Sequence, residues 1–194
     1  LIKFLFNIDS KIQKDRRIGR NSVRLYLRSK AILTFLNRVG LPLGPKKDLK
    51  VPLIIKKSNK KIKKNFLLGL ADTEFCLTFK RRNKRNHYYP VIEYSTADRK
   101  LMYSVINLLN EFDIKGYNLK MYPTKRNGKK LFINQFHLNG EANLNKWLKN
   151  IGFKSEKHLT KLEIWRKYGF CPARTNLIDR RKILDRSIDI NSFM

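Results

Sequence analysis

Acid is what this sequence is short of. Fifteen Asp and Glu stand against 44 Lys and Arg in 194 residues, a formal net charge of +29. An excess of that size repels itself unless something anionic neutralises it. Nucleic acid is therefore the expected partner. Cysteine is scarce as well. Cys76 and Cys171 form no CxxC pair, so neither a disulfide framework nor a zinc ribbon is expected, and both fit a reduced compartment. Histidine is limited to His87, His137 and His158, which show no ligand spacing. No apolar run approaches the ~18 residues of a membrane span, and no secretory signal is visible. No basic amphipathic helix stands apart from the rest, which argues against a membrane surface as partner. No Gly-rich phosphate loop is present, since GLPLGPKK (40–47) lacks the order of a P-loop. Apolar residues are not lacking. At 42% of the chain, with 11% aromatic, they suffice for a core and exclude disorder by composition.

What is present has an internal repeat. ILTFLNRVGL (32–41) aligns with LNKWLKNIGF (144–153). Ile32 matches Leu144, Phe35 matches Trp147, Leu36 matches Leu148 and Val39 matches Ile151, with Gly40 on Gly152. Each set has helical spacing and a glycine where a helix would stop. Upstream of each, two strand-like runs flank a charged tip. These are IKFLFNID and SVRLYLRSK around SKIQKDRRIGRN, and YNLKMY and LFINQFHLN around PTKRNGKK. The order hairpin, helix, glycine recurs, so two copies of one α+β unit are expected.

The second copy reads as complete: a helix over 63–74, strands at 76–80 and 88–95, a helix over 99–112, a hairpin, and the Trp147 helix. The first copy shows only its last hairpin and helix. Its counterpart of the 65–79 stretch would lie about 45 residues before Leu1, by the offset between Gly40 and Gly152. Because the chain opens on Leu1 rather than Met, a preceding segment is expected. The expected divisions are 1–62, the end of the first copy with a Pro- and Lys-rich linker (42–64); 63–168, the second copy; and 169–194, a helical tail.

The stretch NFLLGLADTEFCLTF (65–79) places Asp72 and Glu74 inside the most apolar passage of a basic chain. Its core, LLGLADTEF (67–75), resembles the nine-residue motif of the LAGLIDADG homing endonucleases. The element order after Lys63 is similar to one whole repeat of that family, αββαββα, and the partial copy before it to the end of another. The tail IWRKYGFCPARTNLIDRRKIL (164–184) is similar to the ends of archaeal members. The resemblance implies a pseudo-dimer with its first half incomplete. It implies motif helices packed on each other through small residues, for which Gly69, Ala71 and Thr73 are placed, with Asp72 capping or orienting the helix end. By position Glu74 matches the metal-binding acid. Mg²⁺ is then the implied cofactor if the protein is catalytic, and none otherwise, since the ion must bridge carboxylate and scissile phosphate. Lys130 or Lys129 would fill the family's lysine near the metal, and nothing in the sequence selects between them. The chain departs from the pattern at Leu68, where Ala is usual, and at Phe75, where Gly is usual. It contains no second motif, which on the resemblance lies in the preceding segment, has decayed, or comes from another chain.

Strand alternation gives a binding face. Val23, Leu25 and Leu27 are expected to face one way and Arg24, Tyr26 and Arg28 the other. Leu77 and Phe79 oppose Thr78, Lys80 and Arg82. Phe132, Phe136 and Leu138 oppose Gln135 and His137. The hairpin tips KDRRIGR (14–20) and KRNGKK (125–130), with Lys120, Lys125 and Arg126, are expected on phosphates. Such a face suits base edges in a major groove or, equally, RNA through phosphates and stacked Tyr. Two functions follow. One is a Mg²⁺-dependent double-strand DNA endonuclease of the intron or intein type. The other is a non-cutting relative that holds structured RNA such as rRNA or intron RNA. Either would act inside the cell, in the cytoplasm or nucleoid or on the ribosome.

Overall fold

A computed structural model describes residues 2–15, 22–44, 48–83, 86–115, 118–126 and 128–193. The chain divides into two compact units, Leu1–Pro45 and Lys46–Met194.

The first unit holds α1 (Ile2–Phe6), β1 (Lys11–Lys14), β2 (Val23–Tyr26) and α2 (Lys30–Arg38). Ser29 caps α2, its hydroxyl accepting from Ile32 N, and Gly40 follows the helix at φ 103°. The stretch expected as a first strand departs from that reading. Ile2–Phe6 is helical, and the strand that pairs with β2 is β1, from within the expected tip. The remainder of that tip, 16–20, lies outside the described residues. The alternation of β2 holds in register, with Leu25 opposite Ile12 and Arg24 opposite Gln13. Its burial does not hold, since Val23 is 66% and Leu25 53% exposed. Among its described residues this unit has one buried hydrophobic residue, Ile32.

The second unit carries α3 (Leu53–Lys56), α4 (Lys60–Glu74), β3 (Phe75–Lys80), β4 (Tyr89–Thr96), α5 (Arg99–Asn110), β5 (Asn118–Arg126), β6 (Lys129–Asn139), α6 (Glu141–Asn150), α7 (Glu156–Tyr168), α8 (Leu177–Leu184) and a 3₁₀ turn (Ile190–Phe193). From α4 to α6 the order is the αββαββα expected of a complete copy, and the α+β class is borne out. The four strands form one antiparallel sheet in the order β3-β4-β6-β5. α4 starts at Lys60, earlier than the apolar run, because the Asn59 side chain accepts from Ile62 N at 3.0 Å. The expected linker is partly structured, with Val51 buried in the core of this unit.

One face of the sheet makes the core. Phe75, Leu77, Ile92, Tyr94, Phe136 and Leu138 are buried there, with Leu67 and Ala71 of α4, Met102, Val105 and Leu109 of α5, and Leu144 and Trp147 of α6. Phe75 is the centre of an aromatic cluster, its ring 4.7 Å from Tyr94, 5.0 Å from Trp147 and 5.7 Å from Phe136. This explains the residue that departs from the motif pattern: Phe75 ends α4 and begins β3 with its side chain in the core.

The outer edge of β3 is closed by α7. His158 Nδ1 accepts from Leu77 N at 3.4 Å, and Lys161 Nζ donates to Leu77 O at 2.8 Å. Trp165 stacks on Phe79, 5.4 Å between centroids, and donates from Nε1 to Tyr88 O at 2.8 Å. An edge strand with unpaired backbone groups invites pairing with other chains, and α7 occupies both backbone groups of Leu77 while His87 Nδ1 meets the Phe79 carbonyl at 2.9 Å.

Candidate nucleic-acid interface and motif helix

The outer face of the sheet is built by register. Glu93 on β4 lies between Cys76 on β3 and His137 on β6. One row away, Gln135 lies between Ser95 on β4 and Lys120 on β5. On the other side Thr78 lies opposite Val91, and Lys80 opposite Tyr89. Of the residues expected on this face, Thr78, Lys80, Lys120, Gln135 and His137 are therefore brought together. By the same alternation Lys125 falls on the other face of β5, near the hairpin tip. Arg82 follows β3, and its guanidinium lies 3.8 Å from the centroid of the Tyr89 ring. The side chains of Arg126, Lys129 and Lys130 lie outside what the structure describes. Arg24, Tyr26 and Arg28 are exposed in the first unit. Arg24 and Tyr26 share a face of the hairpin, while Arg28 stands beyond the end of β2.

Sequence reasoning missed Glu93, the acid in the middle of this face. Lys80 Nζ lies 2.5 Å from its carboxylate, and His137 Nε2 lies 3.9 Å away. The signal was there: Glu93 alternates with the apolar Ile92 and Tyr94, which are buried. Burial holds the His137 imidazole below its usual pKa, and Lys80 and Lys120 add to this against the pull of Glu93. The ring is thus neutral at physiological pH, with its Nε2 buried beside Glu93 and without a hydrogen-bond partner among the described residues.

The two acids of the motif sit differently. The Asp72 carboxylate accepts from Ser155 N at 2.9 Å and from Lys154 N at 3.0 Å, tying the last turn of α4 to the start of α7. Ser155 itself makes no side-chain cap, so Asp72 supplies the anion that the N-terminus of α7 favours. Glu74 is exposed at the end of α4 and makes no ion pair or hydrogen bond with a described residue. Burial pushes the neighbouring Tyr94 phenol up to about 12, and the negative charge of Glu74 adds to that.

The remaining motif residues divide by side of the helix. Ala71 is fully buried inside its own unit. Gly69 and Thr73 are exposed on a stripe with Ile62; a Cβ at Gly69 would meet nothing within 4 Å. Thr73 Oγ1 donates back to Gly69 O at 3.1 Å, so its hydroxyl is satisfied within the helix. This bare, small-residue stripe admits the backbone of a second helix.

The donor set does not make a resident Mg²⁺ site. Glu74 offers one carboxylate, and no group of three His, Cys, Asp or Glu able to hold a metal exists among the described residues. Mg²⁺ demands near-octahedral oxygen coordination, so one exposed carboxylate would need further oxygens from a phosphate and from another acid. No described helix is long and apolar enough to cross a membrane.

Comparison with known families gives one match. Residues 61–152 fit the family model described as a LAGLIDADG-like domain, which spans α4 to the end of α6. No curated protein matches the chain.

Proposed function

Taking residues 61–152 as a LAGLIDADG-like domain, and so as a module of a nucleic-acid-binding, homing-endonuclease-like family, we propose that the protein binds duplex DNA across the outer face of its sheet. One observation carries this reading. The face gathers Lys80, Lys120, Gln135, Thr78 and a neutral His137, and the acid among them, Glu93, is already paired to Lys80. Gln135 can pair with a base edge in the major groove, and the Lys groups with phosphates. The net charge of +29 supplies the sequence-independent share of affinity.

Cleavage is the finer part of the proposal. Glu74 is the one motif acid free to meet a backbone phosphate, while Asp72 is committed to α7. The bare stripe of Ile62, Gly69 and Thr73 is where a second motif helix would pack and bring a second acid. A chain that cuts needs that helix, from another segment or another chain. A chain that lacks it binds without cutting; the net charge of +29 is the observation that favours this second reading, a holder of structured RNA.

The test is binding and cleavage in parallel. Affinity for duplex DNA should fall with salt at a log–log slope of about −0.9 per phosphate contacted, and Gln135→Ala should weaken sequence preference. Glu74→Gln should keep binding and remove any Mg²⁺-dependent cutting, because a neutral amide is a poor ligand for a hard cation. Tight binding of structured RNA with no cutting of any DNA would replace the endonuclease by the RNA holder.

A further inference from the structure

Beside the covered edge of β3 lies a cavity of about 340 Å³, at the lower end of the ~300–1,000 Å³ typical of ligand pockets. It opens between the last residues of β3 and the turn at 172–175. Among the described residues its wall holds four cations, Lys80, Arg81, Lys161 and Arg174, and no carboxylate. Lys80 is already paired to Glu93. Lys161 is half-buried, and its one hydrogen bond among the described residues goes to the neutral carbonyl of Leu77. Behind the wall Arg180 is buried; it donates to Thr160 Oγ1 at 2.9 Å and to the Thr175 carbonyl, again neutral acceptors. Burial lowers the pKa of both Lys161 and Arg180, and Arg180 lowers that of Lys161 further.

Stacking this much positive charge round one cavity costs free energy that folding alone does not recover. The turn adds donors of its own. Arg174 takes a left-handed conformation at φ 58° in a hydrogen-bonded turn over 172–175, and the backbone amides of Ala173 and Arg174 make no hydrogen bond with described residues. Successive free amides about a left-handed residue form a concavity that suits an anion.

We propose that this pocket is a phosphate site. It would hold one phosphate group between Arg81, Lys161, Arg174 and the amides of Ala173 and Arg174. Thr78 and Lys80 belong both to the pocket wall and to the outer face of the sheet. A backbone phosphate of a nucleic acid lying on that face is therefore the source the geometry favours, a step that rests on the function proposed above. A free phosphate would use the same chemistry.

The experiment uses the full chain and the exposed double variant Arg81→Ala/Arg174→Ala, which spares the buried Lys161. Inorganic phosphate is titrated while the amide NMR signals of residues 173 and 174 are followed, and salt-dependent binding of a DNA duplex and a structured RNA is measured alongside. The expected result is saturable shifts of those amides in the parent and none in the variant, with the salt slope of nucleic-acid binding about 1 shallower in the variant. Phosphate shifts with an unchanged salt slope assign the pocket to free phosphate. Phosphate shifts in a parent that binds no nucleic acid keep the pocket and refute the function. Absence of saturable shifts in the parent overturns the phosphate site, whatever the nucleic-acid result.

Discussion

Replacing Asp72 by Ala should cost the second unit about 2 kcal/mol, and the structure says where that comes from. The carboxylate receives two backbone donors, Ser155 N at 2.9 Å and Lys154 N at 3.0 Å. Hydrogen bonds to a charged group contribute roughly 1.5–3 kcal/mol. Both donors lie at the start of α7, where water can replace a lost partner, so about 1 kcal/mol per bond applies rather than the full range. For a unit of about 150 residues each kcal/mol moves the Tm by ~2–4 °C, which gives a fall of ~4–8 °C. Asp72→Asn keeps one neutral acceptor oxygen and should lose about half as much. Glu74→Gln is the control two residues on. It is exposed with no described partner, so its effect should stay within about 0.5 kcal/mol. Thermal melts of the three variants, with hydrogen exchange at Ser155, measure this directly. The Ser155 amide should lose protection in Asp72→Ala alone. Equal melting temperatures for Asp72→Ala and Glu74→Gln would refute the division of labour between the two acids.

His158 is fully buried and its pKa is lowered to about 4 by burial, with Lys157 and Lys161 adding. Unfolded His titrates near 6.5, so between those values the unfolded chain binds a proton that the native one does not. Stability should therefore be full above about pH 6.5 and fall by up to ~3 kcal/mol as pH drops to 4, a slope in urea midpoints that His158→Gln should flatten. Gly140 stands at φ 88° and ψ 168°, a region open to glycine almost alone, and a Cβ there would lie 3.0 Å from Tyr89 Oη. Gly140→Ala should lower stability by about 1–3 kcal/mol, and an unchanged midpoint would mean the turn into α6 is built otherwise.

Elements with a full apolar period were legible. Three strands of the second unit fall within one or two residues of the expected bounds, because each alternates core and surface residues against a real core; β5 runs four residues past the expected Tyr122, to Arg126, through half of the expected hairpin tip. The first unit shows where that reasoning stops. IKFLF is apolar enough for a strand and too short for its period to decide, and it forms α1. Phe35 occupies the place of Trp147 in the repeat, yet Phe35 is 51% exposed and Trp147 fully buried. Spacing tells which side chains share a face. It does not tell whether a layer exists to cover that face, and within the first unit the described sheet has two strands against four in the second. A two-stranded hairpin buries little by itself.

At the site the limit is different, since charge is long-ranged and chemistry is not. The total of +29 was enough to expect a polyanion, but it hid Glu93, whose value lies in being the exception on a basic face. A carboxylate there costs affinity for phosphate unless a cation offsets it, and Lys80 at 2.5 Å does so. The pair therefore leaves the face less indiscriminately positive and presents fixed polar groups to whatever lies on it, which favours selection over tight binding. Glu93→Gln separates the two effects. It frees Lys80 for a phosphate, so binding of unrelated duplex should tighten, and the advantage of a preferred sequence over it should shrink. Tighter binding with selectivity intact would mean that Glu93 only tempers charge. Weaker binding overall would mean that Lys80 must be held by Glu93 in order to work at all.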